Sequence, residues 1–324
     1  LERIGIGFNP SITSEESAEY AQMAEHSGYD SFWVHEQPFI RDAISLLCSG
    51  ITATTRIKIG SGCISVVTRH PLLAASTFVS LNSMSHDRVV MGVGLGGFPW
   101  LPKIGVKVFP VAETHPMKRI TEYLTIVKAL LNGDSVTLHG EFFEVNDIKL
   151  DTKPAVPPRL YLAAFGARLL EMAPNLVQGV IISPALMTPR VTNQKVQRIH
   201  GRDTIDIASY VLTTVSKDLA RAKQLMKSYY FLIYQVAEVI RPEVLEPYDV
   251  HENDLVEVKK AWQKKDLVAA GKTMPDEILD ALTLTGKTDH CLDRLREYRK
   301  AGVQLPIIMP IGDIKSTIEA FRKT

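Results

Sequence analysis

The sequence predicts an α/β fold, a (β/α)8 TIM barrel with helical and loop insertions, organised as one unit over residues 1–324. Three observations lead there. Eight short apolar runs of strand character recur along the chain, mostly separated by helical patterns. The length, 324 residues, is long for an ordinary domain and normal for one barrel. No shift in composition marks a linker, and no repeat of solenoid period is present. The rival is a doubly wound open sheet. A dinucleotide-binding version of it wants Gly-x-Gly-x-x-Gly directly after the first strand, where this chain has Gly7-Phe8-Asn9-Pro10.

The elements follow in order. Arg3 to Phe8 reads as strand one. Thr13-Ser14-Glu15-Glu16 is a capping box, and the helix it starts stops at Gly28. Asp30 to Val34 is strand two, followed by a helix over Ala43 to Thr54. Ile57 to Cys63 is strand three, with its helix from Leu72 to Met84, and Arg88 to Val93 is strand four. Phe98 to Thr114 is a looser segment rich in Pro and Gly. A helix over Met117 to Leu131 and a hairpin around Gly133 and Gly140 precede strand five, Arg159 to Ala163. Ala167 to Met172 is helical, Gly179 to Ile182 is strand six and Ala208 to Val215 strand seven. Leu219 to Ile240 and Leu255 to Lys272 read as added helices within an insertion over roughly 216–285. Thr288-Asp289 caps a helix ending at Gly302, Leu305 to Met309 is strand eight, and Ile314 to Phe321 closes the chain.

Composition excludes several classes. The net charge of +1 gives no global field for nucleic acid or an acidic membrane, and basic residues do not cluster with aromatics. Three widely spaced cysteines without Cys-x-x-Cys argue against a disulfide framework or zinc site and suit a reducing cytoplasm. The first twenty residues lack the pattern of a signal peptide, and no apolar run reaches spanning length. The histidines form no metal-ligand spacing, so no metal is expected.

In a barrel the chemistry sits at the strand C-terminal ends. Strand three ends in Gly60-Ser61-Gly62-Cys63, whose glycines allow close approach of a flat ligand. Strand two ends in His35-Glu36-Gln37, a group suited to acid–base work or to hydrogen bonding a polar ring. Glu36 has a structural alternative, pairing with Arg41 or Arg69. Strand four ends in Gly94-Leu95-Gly96-Gly97, which lacks the Gly-Lys-Ser/Thr of a P-loop and instead exposes backbone. Ala164-Phe165-Gly166-Ala167 runs from strand five into a helix start, where free amides and a positive dipole end favour phosphate, with Arg168 adding charge.

These residues resemble the bacterial luciferase-like superfamily. Within it they are most similar to the F420-dependent methylenetetrahydromethanopterin reductase branch, over nearly the whole chain. The resemblance implies a non-prolyl cis peptide at Gly62–Cys63, with Ile64 beside it, against the ring of coenzyme F420. It implies that Gly94, Leu95 and Gly96 lie along the cofactor, and that Ala164, Phe165, Gly166 and Ala167 hold its phosphate. It further implies a deazaflavin-dependent oxidoreductase moving a hydride between cofactor and a small organic substrate, working as a homodimer. Glu36 is then the proton-handling residue, with Gln37 as hydrogen bonder and His35 as substitute. The chain departs from the branch at Gly7 and Gly97, where acids are expected, and at Gln37, where histidine is common. Two alternatives stand beside this reading: an FMN-dependent luciferase-type monooxygenase, and a flavin- or deazaflavin-binding protein without turnover.

Overall fold

The computed structural model describes residues 2–37, 39–96, 101–106, 115–182 and 186–322. Its strands are β1 (Gly5–Phe8), β2 (Ser31–Val34), β3 (Lys58–Ser61), β4 (Ile64–Ser65), β5 (Val89–Gly94), β6 (Val136–His139), β7 (Glu144–Ile148), β8 (Arg159–Ala163), β9 (Gly179–Ile181), β10 (Asp206–Val215), β11 (Leu284–Gly286) and β12 (Leu305–Pro310). The parallel ring runs β1–β2–β3–β5–β8–β9–β10–β12, and β12 pairs back onto β1 through Gly5↔Ile307 and Ile6↔Ile308. The barrel is therefore closed, and each of the eight sequence-predicted strands supplies one stave, with ends shifted by a residue or two.

Staves of a parallel barrel are covered on both faces, which explains their near-continuous apolar runs. Outward residues such as Ile6, Phe32, Ile59, Met91, Leu162 and Ile308 join the large core under the helices. Inward residues form a second, smaller core around Trp33, Tyr161, Ile181, Ala208 and Ile307. Glycine on neighbouring staves makes room for the bulky inward rings. A methyl group on Gly60 would lie 2.5 Å from the Trp33 ring, and one on Gly179 would lie 2.4 Å from that of Tyr161.

The N-terminal end of the barrel is plugged by charge. Asp206 accepts from Arg3 Nη1 at 2.7 and 2.8 Å and from the Tyr161 hydroxyl, while its side chain is almost fully buried. The capping box forms as expected, with Thr13 and Glu16 exchanging bonds at 3.2 and 2.7 Å. The hairpin is β6–β7, and Gly133, at φ +81°, caps the preceding helix rather than turning the hairpin.

Other expectations change. The helix expected over Leu219 to Ile240 divides into Leu219–Lys227, Tyr230–Tyr234 and a π turn, Gln235–Val239. The next divides into Val256–Gln263 and Leu267–Thr273, because Lys265 turns left-handed at φ +61° and Asp266 caps the second piece through Ala269 N at 2.9 Å. These helices pack around their own core, including Met226, Val236, Leu255 and Ile278, between β10 and β12. Thr288-Asp289 is not the cap of the helix Thr288–Lys300; Lys287 occupies the N-cap, with no side-chain bond. Strand β11 and the helix Pro189–Val196 were not anticipated. The latter starts at Thr188, whose hydroxyl accepts from Val191 N at 3.2 Å, ahead of a proline at the first helical position.

Candidate functional site

The strand-three end is built as a bulge. Pairing with β5 runs from Gly60↔Val90 to Ile64↔Val93, so the strand-three side carries one extra residue. Ser61 Oγ fills the interrupted ladder, donating to Gly92 O at 2.8 Å and accepting from Gly92 N at 2.9 Å. The Gly62–Cys63 peptide within the bulge is cis. Gly62 N donates to Val34 O at 2.9 Å and Cys63 O accepts from Glu36 N at 3.1 Å, which ties the bulge to the strand-two end.

The neighbouring strand ends meet it. Gly94 pairs with Ser65, and its own carbonyl accepts from Val66 N at 2.9 Å. A methyl group on Gly94 would lie 2.7 Å from Cys63 Sγ and 3.1 Å from Ala163 Cβ. Ser65 Oγ donates to Leu95 O at 3.0 Å, and Gly96 follows at φ +89°. The surface formed by Gly62, Cys63, Leu95 and Gly96 is thus continuous, made largely of backbone, and partly exposed. Ile64 is fully buried in the core under the helices, so only its backbone belongs to this surface. Burial, and then the charge of Glu36, push the Cys63 thiol up to about 12, so the sulfur packs without ionising at neutral pH.

Ala164 is buried and its amide donates to Ile181 O at 3.0 Å, so it supports the site from below. Phe165 and Gly166 are exposed. Gly166 is the N-cap of the helix Ala167–Leu176, which has no side-chain cap, and a methyl group on it would meet nothing within 4 Å. Beside this bare helix start stands Lys195, from the unanticipated helix. Its ammonium donates to Phe165 O at 2.7 Å and lies 3.8 Å from the Phe165 ring centre. Arg168, one residue into the helix, is exposed.

Glu36 has the structural partner. Its Oε1 accepts from Arg69 Nε at 2.6 Å and its Oε2 from Ser65 N at 2.8 Å. Arg69 also reaches Asp42 at 2.6 Å, whereas Arg41 turns to the Ser11 carbonyl at 2.8 Å. A carboxylate held this way clamps the bulge more readily than it moves a proton. Gln37 is half-buried and bridges to Arg41 through its backbone. Burial draws the His35 imidazole down to about 4, so the ring is neutral at pH 7. Gly97 lies outside the described residues.

At Gly7 the room an acid would need is taken: a methyl group there would lie 2.3 Å from Tyr210 Cε1. Sequence reasoning missed Tyr210, Lys195 and Ser61. Only Lys195 had a readable signal, the Thr188-Pro189 helix start. Among the described residues no group of three or more His, Cys, Asp or Glu could hold a metal, and no helix is long and apolar enough to cross a membrane.

A closed parallel barrel with a backbone-lined surface at its strand ends, and an uncapped helix start after the neighbouring stave, defines a class, barrels able to seat a planar group with an anionic arm. The chain belongs to the luciferase-like monooxygenase family, which matches residues 5–305. A curated relative, 5,10-methylenetetrahydromethanopterin reductase of Archaeoglobus fulgidus, is 29% identical over 333 aligned positions, covering 99% of this chain and 98% of its own. The coenzyme F420 dependent tetrahydromethanopterin reductase of Methanopyrus kandleri superposes with a TM-score of 0.89 at 22% identity, covering 99% of this chain and 97% of its own. An F420-dependent secondary alcohol dehydrogenase, solved with an F420–acetone adduct, gives a TM-score of 0.78 at 18% identity, over 99% and 97% of the two chains.

Proposed function

We propose that this chain is a coenzyme F420-dependent oxidoreductase acting on a small organic molecule, with residues 1–324 working as one unit. The observation that carries the reading is the continuous backbone floor from Gly62–Cys63 to Gly94–Gly96, beside an open helix start at Gly166 flanked by Lys195. The residues fit such a cofactor. A flat ring needs a floor without protruding side chains, and a phosphate needs free amides and room, which Gly166 leaves. The names of the relatives point the same way.

When bound, the deazaflavin supplies a ring carbon that takes or gives a hydride. The protein's part is to bind, orient and exclude water. Gly62, Cys63, Gly94, Leu95 and Gly96 would carry the ring, and Phe165, Gly166, Ala167 and Lys195 the phosphate. Glu36 acts through Arg69 and Ser65, holding the bulge in shape, so it is a positioning residue. Gln37 is the polar side chain left at the strand-two end for substrate or ring. We also propose a homodimer, to be checked by sedimentation, with a monomer at working concentration as the contrary result.

Separate fluorescence titrations with F420 and FMN test the cofactor. Saturable binding of F420 in preference to FMN is expected. Binding of FMN alone would establish the monooxygenase reading instead, and binding of neither would remove both. Bound F420 that no alcohol, aldehyde, sugar phosphate or pterin donor bleaches would favour the binding protein without turnover.

A further inference from the structure

Tyr210 is the one large polar side chain of β10 that reaches the Gly62 end of the inner core without finding a partner. Its hydroxyl is buried and has no hydrogen-bond partner among the described residues. It lies where a Gly62 side chain would stand, because a methyl group on Gly62 would sit 2.0 Å from Tyr210 Oη. Its ring fills the place of a Gly7 side chain. The residues packed around it in the inner core, among them Trp33, Ile181, Ala208 and Ile307, offer mostly carbon. Tyr210 as a residue is half-buried, while its hydroxyl is fully buried.

A buried hydroxyl without a partner is a standing cost, and such groups in folded proteins call for an explanation. A purely structural filler for this space would be phenylalanine. We infer that Tyr210 is a cofactor-positioning residue: its hydroxyl donates a hydrogen bond to a polar atom of the ring system seated over Gly62–Cys63, in place of the acid absent at Gly7. This rests on the cofactor reading above. Burial raises the phenol well above its ordinary range, so it remains a donor across the working pH and never serves as a base.

The test compares wild type with Tyr210→Phe. Titrations use F420 and the deazaflavin riboside that lacks the phosphate, and urea unfolding is followed for the free proteins. The expected result has opposite signs. Free Tyr210→Phe is at least as stable as wild type, because an unsatisfied group is gone, yet it binds both ligands roughly 2- to 10-fold more weakly, the worth of one hydrogen bond. In wild-type protein carrying ¹³Cζ-tyrosine, the Tyr210 resonance moves on adding either ligand, which keeps the test open if the variant misfolds. Wild-type binding with unchanged affinity in Tyr210→Phe, or with an unmoved resonance, overturns the role of Tyr210 and leaves the cofactor reading standing. Absence of deazaflavin binding by wild type overturns both.

Discussion

Adding a single methyl group at Gly7 probes how the barrel interior is filled. In Gly7→Ala the new carbon would lie 2.3 Å from Tyr210 Cε1 and 2.9 Å from Ile307 Cγ2. Carbon contacts settle at about 3.5–4.0 Å, so the overlap with the ring exceeds an ångström. The ring cannot slide away, because its hydroxyl end already occupies the Gly62 side-chain position. Overpacking of this kind costs about 1–3 kcal/mol, and a pinned ring places Gly7→Ala near 3. Removing the ring in Tyr210→Ala opens a cavity at about 3–5 kcal/mol. In that background the Gly7 methyl meets only Ile307 Cγ2, at 2.9 Å, and that side-chain end can move into the new cavity, so Gly7→Ala should cost less than about 1 kcal/mol. Urea unfolding of the four proteins should then give a coupling of about 2–3 kcal/mol. A methyl on Gly62 meets the oxygen chiefly, at 2.0 Å against 3.0 Å for Cζ. Tyr210→Phe should therefore relieve Gly62→Ala in large part and Gly7→Ala hardly at all. If Gly7→Ala costs the same in both backgrounds to within about 0.5 kcal/mol, the two residues do not share this space and the account of the barrel interior is wrong.

Arg69→Met strands Glu36, whose side chain is 9% exposed, with only the Ser65 amide. A loss of about 2 kcal/mol is expected, below the figure for a fully buried pair because Arg69 is 27% exposed. Adding Glu36→Gln should recover part of it, and equal stability of Arg69→Met and wild type in urea would discount the clamp. His35, drawn from 6.5 to about 4, makes the unfolded chain bind a proton that the folded chain refuses. Its contribution is whole above pH 6.5 and is lost as pH falls toward 4, roughly 3 kcal/mol at most. A stability–pH curve for His35→Gln that keeps the full acid slope of wild type would contradict this. Lys195→Ala should weaken F420 several-fold and leave the phosphate-free deazaflavin riboside unaffected; an equal loss for both would place Lys195 away from the phosphate.

Periodicity and punctuation alone located the eight staves, the Thr13 capping box and the glycine-rich strand ends, because those features depend on neighbours a few residues apart. The two-residue alternation of an extended chain puts Trp33 and Val34 on opposite faces of strand two, and the two fall in the inner and outer cores respectively. Helix breaks inside the insertion were less legible. A left-handed Lys265 and a capping Asp266 look in sequence like any polar helix surface. The choice of Arg69 over Arg41 as the partner of Glu36 needed the bulge in place, since only then does Ser65 N fix the carboxylate's direction. Ring closure decided the rest. It places β10 opposite β3 and one stave short of β1, so that Tyr210 fills the space left by Gly62 and Gly7, and it gathers Arg3, Tyr161 and Asp206 at the far end. A strand encodes which of its side chains point inward. Which inward side chains share a layer follows from the stagger of the closed ring, and no stretch of sequence contains it.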